Sequence, residues 1–275
     1  MNATSMSNLA PAAIVVRRQQ FSFDTLPLYY FKDNPLLSHL LTALSLTFPT
    51  GERFFVHSVR QVRDQVTDPI LQRDISAFIG QEAMHSHAHE DFNAFAASKG
   101  LDVQPVIDFE NEKIEQVKHH LTAKQQLAVT CALEHFTAII ARYVLENPDF
   151  HNGLHPQAAK LWLWHALEET EHKAVAFDTY KAIFDDEIVR KRVMRIITTT
   201  FLTRISQITL TLLLKDSVGR KQFRQHWAGF KEIIKLVRTL TPAYRDYYHA
   251  DFHPNQQNTT ALTAYWAANI EAWAG

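Results

Sequence analysis

Trp164-His165-Ala166-Leu167-Glu168-Glu169-Thr170-Glu171-His172 is the stretch on which the reading of this chain turns. Glu169 and His172 stand three residues apart, so on an α-helix they project from one face on successive turns. Taken alone, an E-x-x-H pair is ordinary, because Glu and His are both common on solvated helix faces. Its weight depends on what the rest of the chain sets against it.

A second pair occurs in Gln81-Glu82-Ala83-Met84-His85, with His89 one further turn along the same face. Single glutamates complete the series: Glu52 ahead of the first pair, and Glu134, in Ala132-Leu133-Glu134-His135, between the two. The order Glu, E-x-x-H, Glu, E-x-x-H is the one a ferritin-like four-helix bundle needs to hold two metal ions, each element from its own helix. Glu52, Glu82, His85, Glu134, Glu169 and His172 are therefore candidate metal ligands. Glu168 is an alternative to Glu169, being four residues before His172, and His89 is left open.

Four carboxylates in a helical core repel one another and lose hydration, whereas two divalent cations neutralise them. Oxygen-dominated ligation points to iron, with manganese as the alternative, ahead of the His/Cys-rich preference of zinc. The H-E-x-x-H motif of zinc proteases is absent, since Glu90 follows His89 but position 93 is Asn. No catalytic residue is assigned beyond the metal ligands.

The pattern around these motifs is helical throughout, and only seven glycines are present. Residues 1–20 are expected to be poorly ordered, and 21–34 to lie extended over the bundle. Pro35 opens a helix expected to end before Pro49, and a new helix carrying Glu52 in its first turn is expected from Thr50 to Gln65. Asp68-Pro69 caps a long helix that stops at Gly100. A connecting helix is expected from Asp102 to His120, a long one from Thr122 to Glu146, and a fourth from His155 to Asp185. Helices are then expected over 188–214 and up to Pro242, with a short one over 261–273. The expectation is one all-α domain over 21–275: a ferritin-like bundle at about 50–185, with additional N-terminal and C-terminal helices, the latter over about 186–275.

The formal net charge of -1 offers no electrostatic reason to expect a nucleic-acid partner. A single cysteine, Cys131, excludes a disulfide scaffold within the chain and fits a reducing cytoplasm. No secretory signal is expected from the N-terminal sequence. The stretch 196–214 is apolar but interrupted by Arg204 and Gln207, which makes it a poor membrane span. It is expected to pack on the bundle, with peripheral membrane contact as the alternative.

The Phe48–Arg60 stretch, Gln81-Glu82-x-x-His85-x-x-x-His89, Ala132–His135, Trp164–Lys173 and Tyr248–Pro254 together resemble a bacterial family called "predicted metal-dependent hydrolase". The resemblance runs from about Arg17 to the C-terminus. His165-x-x-x-Glu169-x-x-His172 is also similar, more distantly, to the last metal helix of the ferritin-like arylamine N-oxygenases. That likeness implies His165 as a seventh ligand, or else as a histidine orienting a carboxylate.

The expectation formed on the residues is a di-iron enzyme that activates O₂ to oxidise an apolar or aromatic substrate, with an electron donor as partner and a homodimer as one assembly. The family resemblance implies the alternative, hydrolysis by a water activated between two metals. A non-catalytic iron-handling protein is the third reading.

Overall fold

The computed structural model describes residues 13–274. Ten α-helices follow in order: α1 (Pro35–Arg60), α2 (Pro69–Ser98), α3 (Gln104–His120), α4 (Ala123–Glu146), α5 (Pro148–His151), α6 (Pro156–His172), α7 (Val175–Ile183), α8 (Glu187–Lys215), α9 (Phe223–Asp246) and α10 (Thr260–Glu271). Among the described residues the only strand-like feature is an isolated antiparallel bridge between Phe31 and Leu154. The fold is all-α.

The start signals act as expected. The Asp68 side chain accepts the Ile70 amide, and Thr122 and Gln125 form a capping box. Gly100, with φ of 86°, takes the left-handed position just beyond α2.

Three boundaries differ from expectation. The helices expected on either side of Pro49 are one helix, α1, with Pro49 inside it. A proline there removes the amide that would bond the carbonyl of Ser45. Asn93 Nδ2 on α2 donates to that carbonyl instead, at 3.1 Å, so the helix continues. Glu52 thus lies in the last third of a long helix rather than in a first turn. The expected fourth helix breaks into α6 and α7 at Lys173-Ala174. There Lys173 is buried, donating to the Gln257 carbonyl at 2.6 Å and to Thr259 Oγ1 at 3.0 Å. Finally, α9 runs on through Pro242 to Asp246.

Helices α1 and α2 are antiparallel: Ser45 meets Asn93, Pro49 meets Ser86, and beyond the end of α1 Arg63 meets Gln72. α4 packs on α6, and α8 lies against both α1 and α4. One apolar cluster fills the end of the molecule around Leu41, Phe92, Leu161 and Trp164, and another the opposite end around Phe54, Phe78, Leu127 and Tyr180. The metal-site candidates occupy the layer between them. Arg190 is fully buried, its guanidinium donating to the Tyr247 carbonyl and pairing with Glu187, which holds α8 to the segment after α9.

The expected disorder over 1–20 falls outside the described residues as far as 12. Residues 13–34 form an extended strap, with Phe23, Leu26, Tyr30 and Phe31 buried in the core. Among the described residues two helices, α4 and α8, are long and apolar enough to cross a membrane by length and composition. The apolar part of α4 is mostly buried in the protein, whereas that of α8 is mostly open.

Gly80 lets the strap lie close across α2, since a Cβ there would sit 2.7 Å from Val16 Cγ2. Gly80→Val should lift this part of the strap and cost about 1–3 kcal/mol of stability. Urea unfolding and limited proteolysis within residues 13–34 check this; unchanged cleavage would show that the strap is held elsewhere.

Candidate metal centre

Glu52 on α1, Glu82 and His85 on α2, Glu134 on α4, and His165, Glu169 and His172 on α6 meet in one cluster, none more than 4% exposed. All seven residues singled out from the sequence are therefore brought together. Donor atoms of Glu82, Glu169 and His172 lie within 4.8 Å of one another, as do those of Glu52, Glu82 and His85, and of His85, His165 and Glu169. Glu134 joins the first group, its Oε2 3.4 Å from His172 Nε2. Two half-sites result, one with His172 and one with His85 and His165, and Glu82 and Glu169 belong to both.

Glu168 and Glu169 differ in direction. Glu169 lies between the three histidines, 3.0 Å from His165 Nε2, 3.6 Å from His85 Nδ1 and 3.6 Å from His172 Nε2. Glu168 is buried but turned outward, with Oε1 accepting the Arg17 backbone amide at 3.0 Å. Its Oε2 approaches His85 Nε2 to 3.2 Å, off the line of a hydrogen bond. On the other side Gln81, which likewise precedes an E-x-x-H glutamate, accepts from His172 Nδ1 at 2.8 Å. Each E-x-x-H helix thus uses the residue before its glutamate to face the outer nitrogen of the other helix's histidine.

The strap completes this outer layer. Arg17 forms a two-pronged pair with Glu171 at 2.7 and 2.8 Å, and Gln81 Nε2 donates to Glu171 Oε2 at 2.8 Å. Because Gln81 Nε2 also donates to the Val15 carbonyl, its oxygen is the atom left for His172.

His89 orients a neighbour. Asn93 Nδ2 is committed to the Ser45 carbonyl, so Asn93 Oδ1 accepts from the Ser45 hydroxyl at 2.8 Å. The Ser45 oxygen then accepts from His89 Nδ1 at 2.8 Å, and His89 Nε2 accepts from His165 Nδ1 at 2.6 Å. This assignment follows from the bonding pattern. It leaves His165 Nε2 as a lone pair facing Glu169 Oε1 at 3.0 Å and Glu52 Oε1 at 3.9 Å, atoms of like polarity that a cation between them would reconcile. The sequence reading missed Ser45, Asn93, Gln81, Arg17 and Glu171. A signal existed only on α2, where residues 81, 85, 89 and 93 recur every fourth position.

The donors fit a metal. Both oxygens of Glu52, Glu82 and Glu134, both ring nitrogens of His85, one oxygen of Glu169 and Nε2 of His172 are buried without a hydrogen-bond partner. Such groups are costly unless something satisfies them. Glu52 with Glu82, and Glu82 with Glu169, have oxygens within 4.8 Å of each other, where two charged carboxylates repel by on the order of 3 kcal/mol. Burial, then its carboxylate neighbours, pushes Glu52 well above the ordinary carboxylate range, and Glu134 rises to about 7 for the same reasons. Burial alone would raise Glu169 too, but the charge of His172 beside it holds it well below that range. His172 is correspondingly held well above the usual imidazole value, against its burial, by Glu169 and Glu134.

Two cavities reach the cluster. The larger, whose empty space of about 1000 Å³ includes open solvent at its mouth, is walled mainly by apolar side chains and touches His165 and Glu169. The smaller touches Glu134 and is lined by His135, Lys173, Tyr247 and Gln257, among others.

The model of a family described as "predicted metal-dependent hydrolase" matches residues 15–258. The chain belongs to that family. No curated protein and no solved structure matches it. Nothing in these comparisons extends to the arylamine N-oxygenases.

Divalent metal should raise the thermal midpoint, because it binds only the folded cluster. Glu169→Ala should abolish metal binding measured by elemental analysis, whereas Glu168→Ala should retain it; the opposite result would reverse their roles. Asn93→Ala should weaken metal binding by roughly 10–100-fold through His89 and His165.

Proposed function

We propose that this protein is a metal-dependent enzyme that hydrolyses an apolar small-molecule substrate at a two-metal centre of ferritin-like arrangement. The observation that carries this reading is the convergence of two different cavities on one cluster. A hydrolase must bring an organic substrate and a water molecule to one point, and here an apolar route and a more polar one reach opposite half-sites. The family description supports the same reaction class.

In this reading Glu52, His85 and His165 would hold one ion and Glu134 and His172 the other, with Glu82 and Glu169 within reach of either group. Two such ions supply Lewis acidity and lower the pKa of a coordinated water. The protein's own contribution is positional. Leu44, Phe48, Ile140 and Trp162 keep the substrate side dry, and water exclusion strengthens the polar interactions inside. Tyr247, whose buried hydroxyl has no protein partner, is placed to hold water in the smaller cavity.

The chemistry of the donors favours a second reading, oxidation of the same substrate by O₂ at a di-iron centre, which needs an electron donor. Carboxylate-dominated ligation suits iron or manganese, and a dry apolar approach suits a strongly oxidising site. Reconstitution with iron(II), manganese(II) or zinc, followed by p-nitrophenyl ester assays with and without O₂, separates the two. Hydrolysis predicts metal-dependent ester cleavage in nitrogen, lost in Glu169→Ala. O₂ uptake coupled to substrate loss, with no ester cleavage, would overturn it in favour of oxidation.

Peripheral membrane contact belongs to the same proposal, on the open side of α8 and α9. There Leu210, Leu214, Phe223 and Trp227 are exposed, together with Lys215, Arg220, Lys221 and Arg224. Apolar and basic side chains together suit an anionic lipid surface. Co-sedimentation with anionic vesicles, absent with zwitterionic ones and reduced in Phe223→Ser/Trp227→Ser, is the expected result; equal binding in the variant would remove this surface from the proposal.

A further inference from the structure

We infer that the larger cavity is a tunnel for an unbranched hydrocarbon chain of about a dozen carbons, with its polar, reacting end at His165 and Glu169. This rests on the enzymatic reading above and specifies its substrate.

The length comes from two helices independently. On α1 the wall is the stripe Leu37, Leu41, Leu44 and Phe48. Its ends are eleven residues apart, a rise of about 16 Å. On α4 the wall runs from Thr137 to Val144, and Asn147, the residue that caps the helix, continues it. The helical part is seven residues, about 10 Å, and the cap extends the wall beyond that. Both stripes begin beside the cluster, Phe48 four residues before Glu52 and Thr137 three after Glu134. Both lead away from it, so the cavity lies along the helices.

Polarity is confined to the ends. Lys32, Asn147, Asp149 and Glu232 gather at the outer end, where the Lys32–Glu232 pair, at 3.2 Å, joins the strap to α9 across the mouth. At the inner end Phe48 lies against the His165 ring, with centroids 4.9 Å apart. Between the ends the wall is aliphatic or aromatic, with Tyr143 the one side chain there that bears a hydroxyl, so it offers little to pair with a hydroxyl, amide or charge, and burying such a group there would be unfavourable. The polar end of a ligand therefore sits at the cluster or at the mouth, and only the cluster offers chemistry.

Shape excludes a compact substrate. A single ring system would leave most of a passage of about 15 Å unfilled, and unfilled apolar space forfeits dispersion contacts. An extended chain advances about 1.2 Å per bond, so a dozen carbons match the length.

Calorimetric titration with straight-chain carboxylic acids of four to sixteen carbons, on metal-loaded and metal-free protein, tests this. Affinity should tighten about fourfold per added methylene and level off near twelve carbons. Ala141, buried on the α4 wall midway along the tunnel, gives the decisive variant. Ala141→Trp should move the levelling point to shorter chains at unchanged metal content. If circular dichroism shows Ala141→Trp unfolded, Ile140→Phe carries the same expectation. Affinity independent of chain length, or a levelling point that neither wall substitution moves, would overturn the tunnel. Chain-length-dependent binding without turnover of any ester, and without O₂ uptake, would uphold the tunnel and overturn the enzymatic reading. Turnover of short esters with no chain-length dependence would do the reverse.

Discussion

Mutual repulsion among four buried carboxylates sets the terms for everything around them. Glu52, Glu82, Glu134 and Glu169 come from four helices, and with most of their oxygens unpartnered the helices would be driven apart unless a cation drew them together. The surrounding bonds can be understood as directing nitrogen lone pairs to where that cation belongs. Gln81 fixes one nitrogen of His172, and the series Asn93, Ser45, His89 fixes one of His165. The second series starts at a proline. Pro49 frees the Ser45 carbonyl, that carbonyl orients the Asn93 amide, and the orientation passes through a hydroxyl and an imidazole to the candidate ligand atom of His165. A residue that ordinarily breaks a helix is here part of what orders the site.

Much of this was legible in the sequence for a simple reason. Each E-x-x-H pair is a local fact of helix geometry, and the two single glutamates follow once the order of helices is given. The caps at Asp68 and Thr122 and the stop at Gly100 are equally local. What was not legible depends on partners far away in the chain. Pro49 ends a helix by every local rule, and only Asn93, forty-four residues later, makes it acceptable. Arg17 sits in a stretch that looks featureless until Glu168 and Glu171 are beside it. Glu168 and Glu169 are adjacent and both buried, so no periodicity could separate them; their bonding partners do. His89 lay on the right face, but its role depends on Ser45 and His165.

The cluster also divides the molecule into unlike sides. Toward α9 the walls of the larger cavity are mainly apolar, with polar side chains at its ends, and toward the segment after α9 a lysine, a tyrosine and a glutamine line a small one. The late segment Tyr247–Pro254, which contributes no candidate ligand, has its place on the second side: Arg190 and Asp178 fasten it where it closes over Glu134. The helices that follow the ligand-bearing ones are in this sense the walls of the site rather than an appendage to it.

The strap that crosses Gly80 has a consequence for the order of assembly. Arg17 and Glu171 are separated by 154 residues, so the strap is synthesised well before its partner. During synthesis the strap can take its place only after α6 has emerged, and a loop of that length closes late for entropic reasons. Until then the outward faces of Glu168 and Gln81 are uncovered. The strap, made before the helix that holds it, thus closes only after α6, and it closes over the centre itself.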